Sequence, residues 1–258
     1  MAIIDQSTLR TGVADWLNRS DLTNAQIDDF ITIGEARLYE ELRVPPLEVV
    51  QSFSVTSANS SIIIPSGFIE MIELRLDNAT DKDEDVVLSR VDSKVFSNNR
   101  IKHAYTKRGS NFLLTDNDGE QKASGTFTMT YYKAEASIGT TVTAGSFVVD
   151  RSHKIISVGN TDFTAVGASA NTVDVVFTAT GVGSGTGTAQ FIPWILGTEF
   201  ETILFASCTV GATFLGDVEM EQKFNDLTTR KVAALNQKEI RASMKGGAFS
   251  SQFSTPLL

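Results

Sequence analysis

Long runs of helical periodicity lie only at the two ends of this chain, and that placement constrains its fold more than any other feature. Leu9, Val13, Trp16 and Leu17 recur at i, i+4, i+7 and i+8, which puts them on one face of a helix capped at Ser7. After a turn near Asn18–Leu22, Thr23 and Gln26 have the spacing of a capping box. The helix that follows carries an apolar stripe of Ile27, Phe30, Ile31, Gly34, Leu38 and Leu42, with Asp28, Asp29, Glu35, Arg37 and Glu41 on its polar face. Pro45-Pro46 stop it, because proline has no N–H and pushes the residue before it out of the helical region. The period returns only after residue 193. There Thr198 and Glu201 are spaced as a second capping box, and Phe200, Ile203, Leu204, Cys208, Gly211, Phe214 and Leu215 form a stripe. Gly216 ends that helix and Asp217 caps a last one, with Met220, Phe224 and Leu227 on one face.

Between the ends the pattern is β. Val49, Gln51, Phe53 and Val55 alternate with polar residues, Ile62-Ile63-Ile64 runs into the turn Pro65-Ser66-Gly67, and Phe68–Leu76 alternates apolar with charged residues. Further strands are predicted at Phe112-Leu113-Leu114 and Thr126–Tyr132, with a short helix around Asp92–Asn99 and a tight turn at Asp116-Asn117-Asp118-Gly119. Asp81-Lys82-Asp83-Glu84-Asp85 reads as a solvated loop.

Residues 138–192 differ in composition. They hold 8 glycines, 10 threonines and 9 valines, no leucine, glutamate or proline, and only 5 charged residues in 55. That favours short strands joined by glycine turns. The strand candidates are Ser146–Val149, Lys154–Val158, Val173–Phe177 and Gly187–Phe191. The expected architecture is therefore α+β: a helical bundle of residues 1–45 and 193–258, a β-rich excursion over 46–137, and a small all-β module inserted at 138–192.

Composition excludes most enzyme classes. A single cysteine, Cys208, rules out an intrachain disulfide framework, and it lies in an apolar helix stripe. Two histidines, His103 and His153, both read as surface residues, and neither has a triad neighbourhood. The glycine run Gly181–Gly187 lacks the lysine and Ser/Thr of a phosphate loop and is followed by β sequence, so it reads as a turn or return strand. Asp81, Asp83 and Asp85 lack the glycine and glutamate that a calcium loop requires at its sixth and twelfth positions. No catalytic, cofactor or metal residues are assigned. The formal charge of −9 argues against a protein that grips nucleic acid through its phosphates. No apolar run approaches the roughly 18 residues that span a bilayer.

Two groups of residues remain as interaction candidates. Arg100, Lys102, Lys107 and Arg108, with Tyr105 among them, form the one local basic cluster, and they suit a subunit interface or partner contact; the alternative is a solvated strand or loop face. The uncharged tail from Ala248, with Phe249, Phe253, Leu257 and Leu258, has no core of its own and suits a partner-bound arm.

The order of these elements is itself informative. Asp15-Trp16-Leu17-Asn18-Arg19-Ser20-Asp21-Leu22 precedes a long helix ending Glu41-Leu42-Arg43-Val44; Ile64-Pro65-Ser66-Gly67-Phe68-Ile69-Glu70, Tyr131-Tyr132-Lys133 and Trp194-Ile195-Leu196 follow. This series resembles the head-to-tail adaptor (connector) family of short-tailed bacteriophages, which includes tail tubular protein A, over the roughly 200 residues outside the insert. The resemblance implies a non-enzymatic virion protein of the neck, assembled in the host cytoplasm. It implies a homo-oligomeric ring, usually a dodecamer, between the portal protein and the tail nozzle protein. Double-stranded DNA passes through its lumen at genome ejection without specific binding. A tail fibre is a further partner, and the C-terminal arm (Phe249, Phe253, Leu257, Leu258) is the portal-binding candidate. The alternative is a binding module whose β insert recognises a tail fibre or a host-surface carbohydrate.

Overall fold

The computed structural model describes residues 5–77, 85–98 and 100–244. Among the described residues there are six α-helices and three small sheets, and the chain divides into two compact units: Met1–Val44 with Ala136–Leu258, and Pro45–Glu135.

In the first unit, α1 (Gln6–Trp16) and α2 (Asn24–Glu41) pack with α4 (Trp194–Thr198), α5 (Phe200–Leu215) and α6 (Val218–Met244). The expected stripe of α2 is buried, and its N-cap is Thr23, in a reciprocal box with Gln26. The cap of α1 is Asp5 rather than Ser7. The Asp5 carboxylate accepts the Thr8 N–H at 2.8 Å while the Thr8 hydroxyl engages the Asp5 backbone N–H at 3.0 Å, so the box forms two residues earlier. α2 and α5 cross closely. A Cβ on Gly34 would sit 2.9 Å from the Ser207 backbone nitrogen. Trp16, placed on the α1 stripe, is 46% exposed because it sits at the rim, where it meets Phe205 edge-on with centroids 5.3 Å apart; Phe205 stacks on Phe224 of α6, and Leu17 and Phe30 pack at Gly211 of α5. The N- and C-terminal helices therefore share one core. Asn236 adds a polar tie: it accepts the Arg43 N–H at 2.9 Å and donates to the Glu41 carbonyl at 3.0 Å, closing the open end of α2 from α6.

Three expectations for the C-terminal helices need correction. Thr198 does not cap α5, because Pro193 opens the extra short helix α4 and Thr198 is its last residue. α5 is not one-sided: every residue from Thr202 to Ala212 is buried. Its polar members satisfy themselves, Ser207 donating to the Ile203 carbonyl and Thr209 to the Phe205 carbonyl. Phe214, placed on the stripe, is 58% exposed, with its ring centroid 5.3 Å from that of the buried Phe30. Gly216 ends α5 in the left-handed conformation and Asp217 accepts the Met220 N–H, as read.

The 138–192 segment forms a four-stranded antiparallel sheet within this unit. Its strands are β9 (Thr141–Thr143), β10 (Ser152–Ser157), β11 (Val176–Thr178) and β12 (Thr188–Ile192), in the order β11-β10-β12-β9. It has its own core of Phe147, Ile155, Phe163, Phe177 and smaller residues. Ser146–Val149 is not a strand. Phe147 instead turns inward from a loop, bonded to the Val182 carbonyl of the glycine run. That run returns into β12. Gly187 is needed for close approach, since a Cβ there would lie 2.6 Å from the Val158 carbonyl oxygen.

The second unit is two sheets over one core. One sheet is β1 (Glu48–Val55), β8 (Gly125–Lys133), β3 (Phe68–Leu76) and β4 (Val86–Val87) in the order β1-β8-β3-β4. The other is β2 (Ser61–Ile63), β7 (Asn111–Leu114), β6 (Ala104–Arg108) and β5 (Ser89–Arg90) in the order β2-β7-β6-β5. All pairs are antiparallel except β5–β6. Leu74, Phe127, Met129 and Tyr131 from the first sheet and Ile62, Tyr105, Phe112 and Leu114 from the second form the shared interior. Of the acidic loop at 81–85, only Asp85 lies within the described residues.

Candidate interaction surfaces

The expected basic cluster is divided by the fold. Arg100 faces Glu120 at 3.5 Å, and Glu120 is also held by Lys122 at 2.6 Å, which keeps its carboxyl below the usual range. Lys102 is exposed. Tyr105 is not a surface residue. It is 7% exposed, set edge-on against Phe112 at 5.8 Å in the core, and burial pushes its phenol above the usual value. Its place along the strand is the reason: the first three residues of β6, Ala104, Tyr105 and Thr106, are buried and only the last two, Lys107 and Arg108, are exposed.

Lys107 and Arg108, at the exposed end of β6, line a different place. The short helix α3 (Ser93–Asn98) begins at Asp92, whose carboxylate accepts the Lys94 N–H at 2.8 Å. The parallel β5–β6 pairing brings this helix beside the β6–β7 hairpin. Between them is a hollow of about 510 Å³ lined by Lys94, Phe96, Thr106, Lys107, Arg108 and Leu113. Lys94, Lys107 and Arg108 have no carboxylate partner among the described residues. Lys94 was not among the sequence candidates. Its only signal is membership of the predicted short helix; the strand pairing that carries it to the hairpin has no local pattern.

A second set of polar residues ties the β segment 138–192 to the N-terminal helices. Lys154 of β10 donates to Asp5 at 2.7 Å and to Asp174 at 2.9 Å. Burial would raise the Asp5 carboxyl, but its bonds from Lys154 and Thr8 outweigh this and hold it below the usual range. Gln190 of β12 donates to Gln6, Gln6 donates to Asp28, and Asp28 takes both nitrogens of a fork from Arg10 at 2.6 Å. Glu35, expected on the polar face of α2, is 3% exposed; its carboxylate accepts the Ile138 N–H where the chain returns to this unit.

Neither histidine is exposed as expected. His103 is partly buried, in the left-handed region, and bonded through Nε2 to Asn117. His153 is fully buried. It stacks on Phe177 at 5.7 Å and meets Phe147 and Phe191. Its Nδ1 lies 2.9 Å from the Arg151 carbonyl and its Nε2 3.4 Å from the Val148 N–H, a pairing that suits the neutral ring with the proton on Nδ1. Burial depresses its pKa. Cys208 is buried with its thiol pushed up to about 12, so it is not a nucleophile at neutral pH. Among the described residues there is no cluster of three or more metal-ligating side chains, and no helix is long and apolar enough to cross a membrane. The arm candidates Phe249, Phe253, Leu257 and Leu258 lie outside the described residues.

No curated protein matches the chain. A family model, SU10 adaptor protein, matches residues 5–153. The match spans α1, α2, the whole Pro45–Glu135 unit and the 138–192 segment as far as His153; it stops short of α4, α5 and α6. With more than half of its length matched, from the Asp5 cap through both N-terminal helices and the complete β excursion, the chain belongs to the SU10 adaptor protein family.

Proposed function

We propose that this chain is a structural virion protein, a head-to-tail adaptor whose copies form a ring between the portal protein and the tail nozzle, with DNA passing through the lumen. The observation that carries the reading is the common core of the terminal helices, Gly34 against Ser207 and the buried Leu17 and Phe30 against Gly211, in a member of an adaptor family. A hub closed in this way presents fixed side faces to neighbours, as a heterologous interface that closes into a ring requires. The charge of −9 per chain suits a duct through which DNA slides without adhering. The reading assigns no catalysis. It gives the tail residues Phe249, Phe253, Leu257 and Leu258 to the portal, and a ring of twelve copies follows the adaptor resemblance.

The role given to the 138–192 segment is framework. Its ties to α1 and α2 through Asp5–Lys154, Gln6–Gln190 and Glu35–Ile138 favour this over a freely presented fibre- or carbohydrate-binding head. The test is electron microscopy of the full chain incubated with its portal under assembly conditions. A ring seated on the portal is expected. A chain that neither oligomerises nor co-sediments with portal or filled heads refutes the reading. Replacing residues 140–191 by a short linker separates the roles of the segment: failed assembly supports framework, and intact assembly with lost fibre attachment supports binding.

A further inference from the structure

We propose that the hollow between α3 and the β6–β7 hairpin is a subunit contact that receives an acidic segment of a neighbouring copy of this chain. The inference rests on the ring reading above and names the partner of one of its surfaces. Three exposed cations, Lys94, Lys107 and Arg108, rim the hollow without a carboxylate partner among the described residues, whereas the nearby Arg100 has Glu120. Phe96 and Leu113 are half-buried beneath them. Unpaired cations over an apolar floor suit an extended acidic peptide, which offers carboxylates to the rim and aliphatic stems to the floor. Duplex DNA fits less well. It presents a ridge of phosphates that is gripped by many cations along a stripe, and this chain as a whole repels it.

The chain carries the complementary piece. Asp81-Lys82-Asp83-Glu84 is an acidic run that continues into Asp85, itself engaged by Arg75 at 3.5 Å. A ring needs two different patches of one chain that fit each other on successive copies. A cationic hollow and an acidic run on the same chain meet that requirement through charge alone.

The experiment uses the full chain assembled with its portal and scores ring yield by sedimentation and negative-stain microscopy. The hollow variant K94E/K107E/R108E and the run variant D81K/D83K/E84K are each expected to lower ring yield roughly tenfold at fixed concentration. Mixed one to one, they are expected to restore it, because each reversed hollow then faces a reversed run on the next copy. An unreversed chain is expected to lose yield as salt is raised. The inference is overturned by a hollow variant that assembles like the parent chain, or by a mixture that fails to recover, which would place the run and hollow together within one copy. It is equally overturned if the hollow variant keeps its ring yield but loses retention of a short DNA duplex. Failure of the parent chain itself to form rings overturns the adaptor reading instead, so the two failures are distinguishable.

Discussion

Replacing Gly34 by alanine tests the contact on which the helical hub depends. The added Cβ would stand 2.9 Å from the Ser207 nitrogen, 3.0 Å from the Ala206 carbonyl carbon and 3.2 Å from its oxygen, all backbone atoms of α5 that cannot swing aside. Two effects oppose each other. Alanine in a helix interior stabilises by about 0.5–1 kcal/mol relative to glycine. Overpacking a tight crossing costs about 1–3 kcal/mol. Gly197 in α4 supplies the reference, because it is exposed and a Cβ there would meet only Ile192 at 3.9 Å, an ordinary contact. G197A therefore gains the propensity without the clash. The difference between the two variants isolates the crossing, with G34A less stable than G197A by about 1–3 kcal/mol. Both tryptophans, Trp16 and Trp194, belong to the helical unit, so urea unfolding followed by tryptophan fluorescence places its probes in that unit. A G34A midpoint equal to that of G197A, with unchanged slope, would refute the proposition that the two ends of the chain close on each other.

Three further outcomes follow from named contacts. D5A removes both the α1 cap and the partner of Lys154, and is expected to cost roughly 2 kcal/mol in the same urea assay. Because the folded carboxyl of Asp5 is depressed, its contribution is present above its unfolded value near pH 4 and fades as pH falls through the folded value; acid titration of D5A should lack that component. His153 acts in a different window. Its folded pKa is depressed by burial, so its neutral form is matched to the fold above about pH 6.5 and stability falls below that pH, with a slope approaching about 1.4 kcal/mol per unit; H153Q should flatten the profile between pH 7.5 and 5.5. N236A deletes the two bonds that close the end of α2 and should lower stability by about 1 kcal/mol, read as a shift in thermal midpoint.

The legible parts of the fold are those specified within a few residues. The Thr23–Gln26 box, the strand Phe68–Leu76, the Gly216 stop and the Asp217 cap all follow from local spacing. What local spacing misses is settled by distant partners. Glu35 has the period of a solvent face, but Ile138 returns across a hundred residues to donate to it. His153 is polar by type, yet three phenylalanines from separate stretches enclose it. The basic cluster is dispersed by the fold for the same reason. The buried first half of β6 took Tyr105 into the core, Glu120 took Arg100, and a two-residue parallel strand with no sequence signature delivered Lys94 to Lys107 and Arg108.

The pairing of β1 with β8 makes the subunit-contact test interpretable. These are the first and last strands of the Pro45–Glu135 unit, antiparallel along their whole length from Glu48–Tyr132 to Val55–Gly125, so the chain completes that unit's sheet where it began. Its core of Leu74, Phe127, Tyr131 and Phe112, with Leu88 and Ala123, comes from its own segment of chain, and the helical unit has buried residues of its own in Ile31, Leu38, Ile203 and Leu204. Lys94, Lys107 and Arg108 are exposed and belong to the first of these interiors only as its rim. K94E/K107E/R108E is therefore expected to leave the tryptophan-reported urea midpoint of the helical unit within about 0.5 kcal/mol of the parent chain, the usual range for surface substitutions. A loss of rings at unchanged midpoint then belongs to the contact between copies. A midpoint that drops with ring yield would show instead that the two interiors are energetically joined, and would refute the separability inferred from the β1–β8 closure.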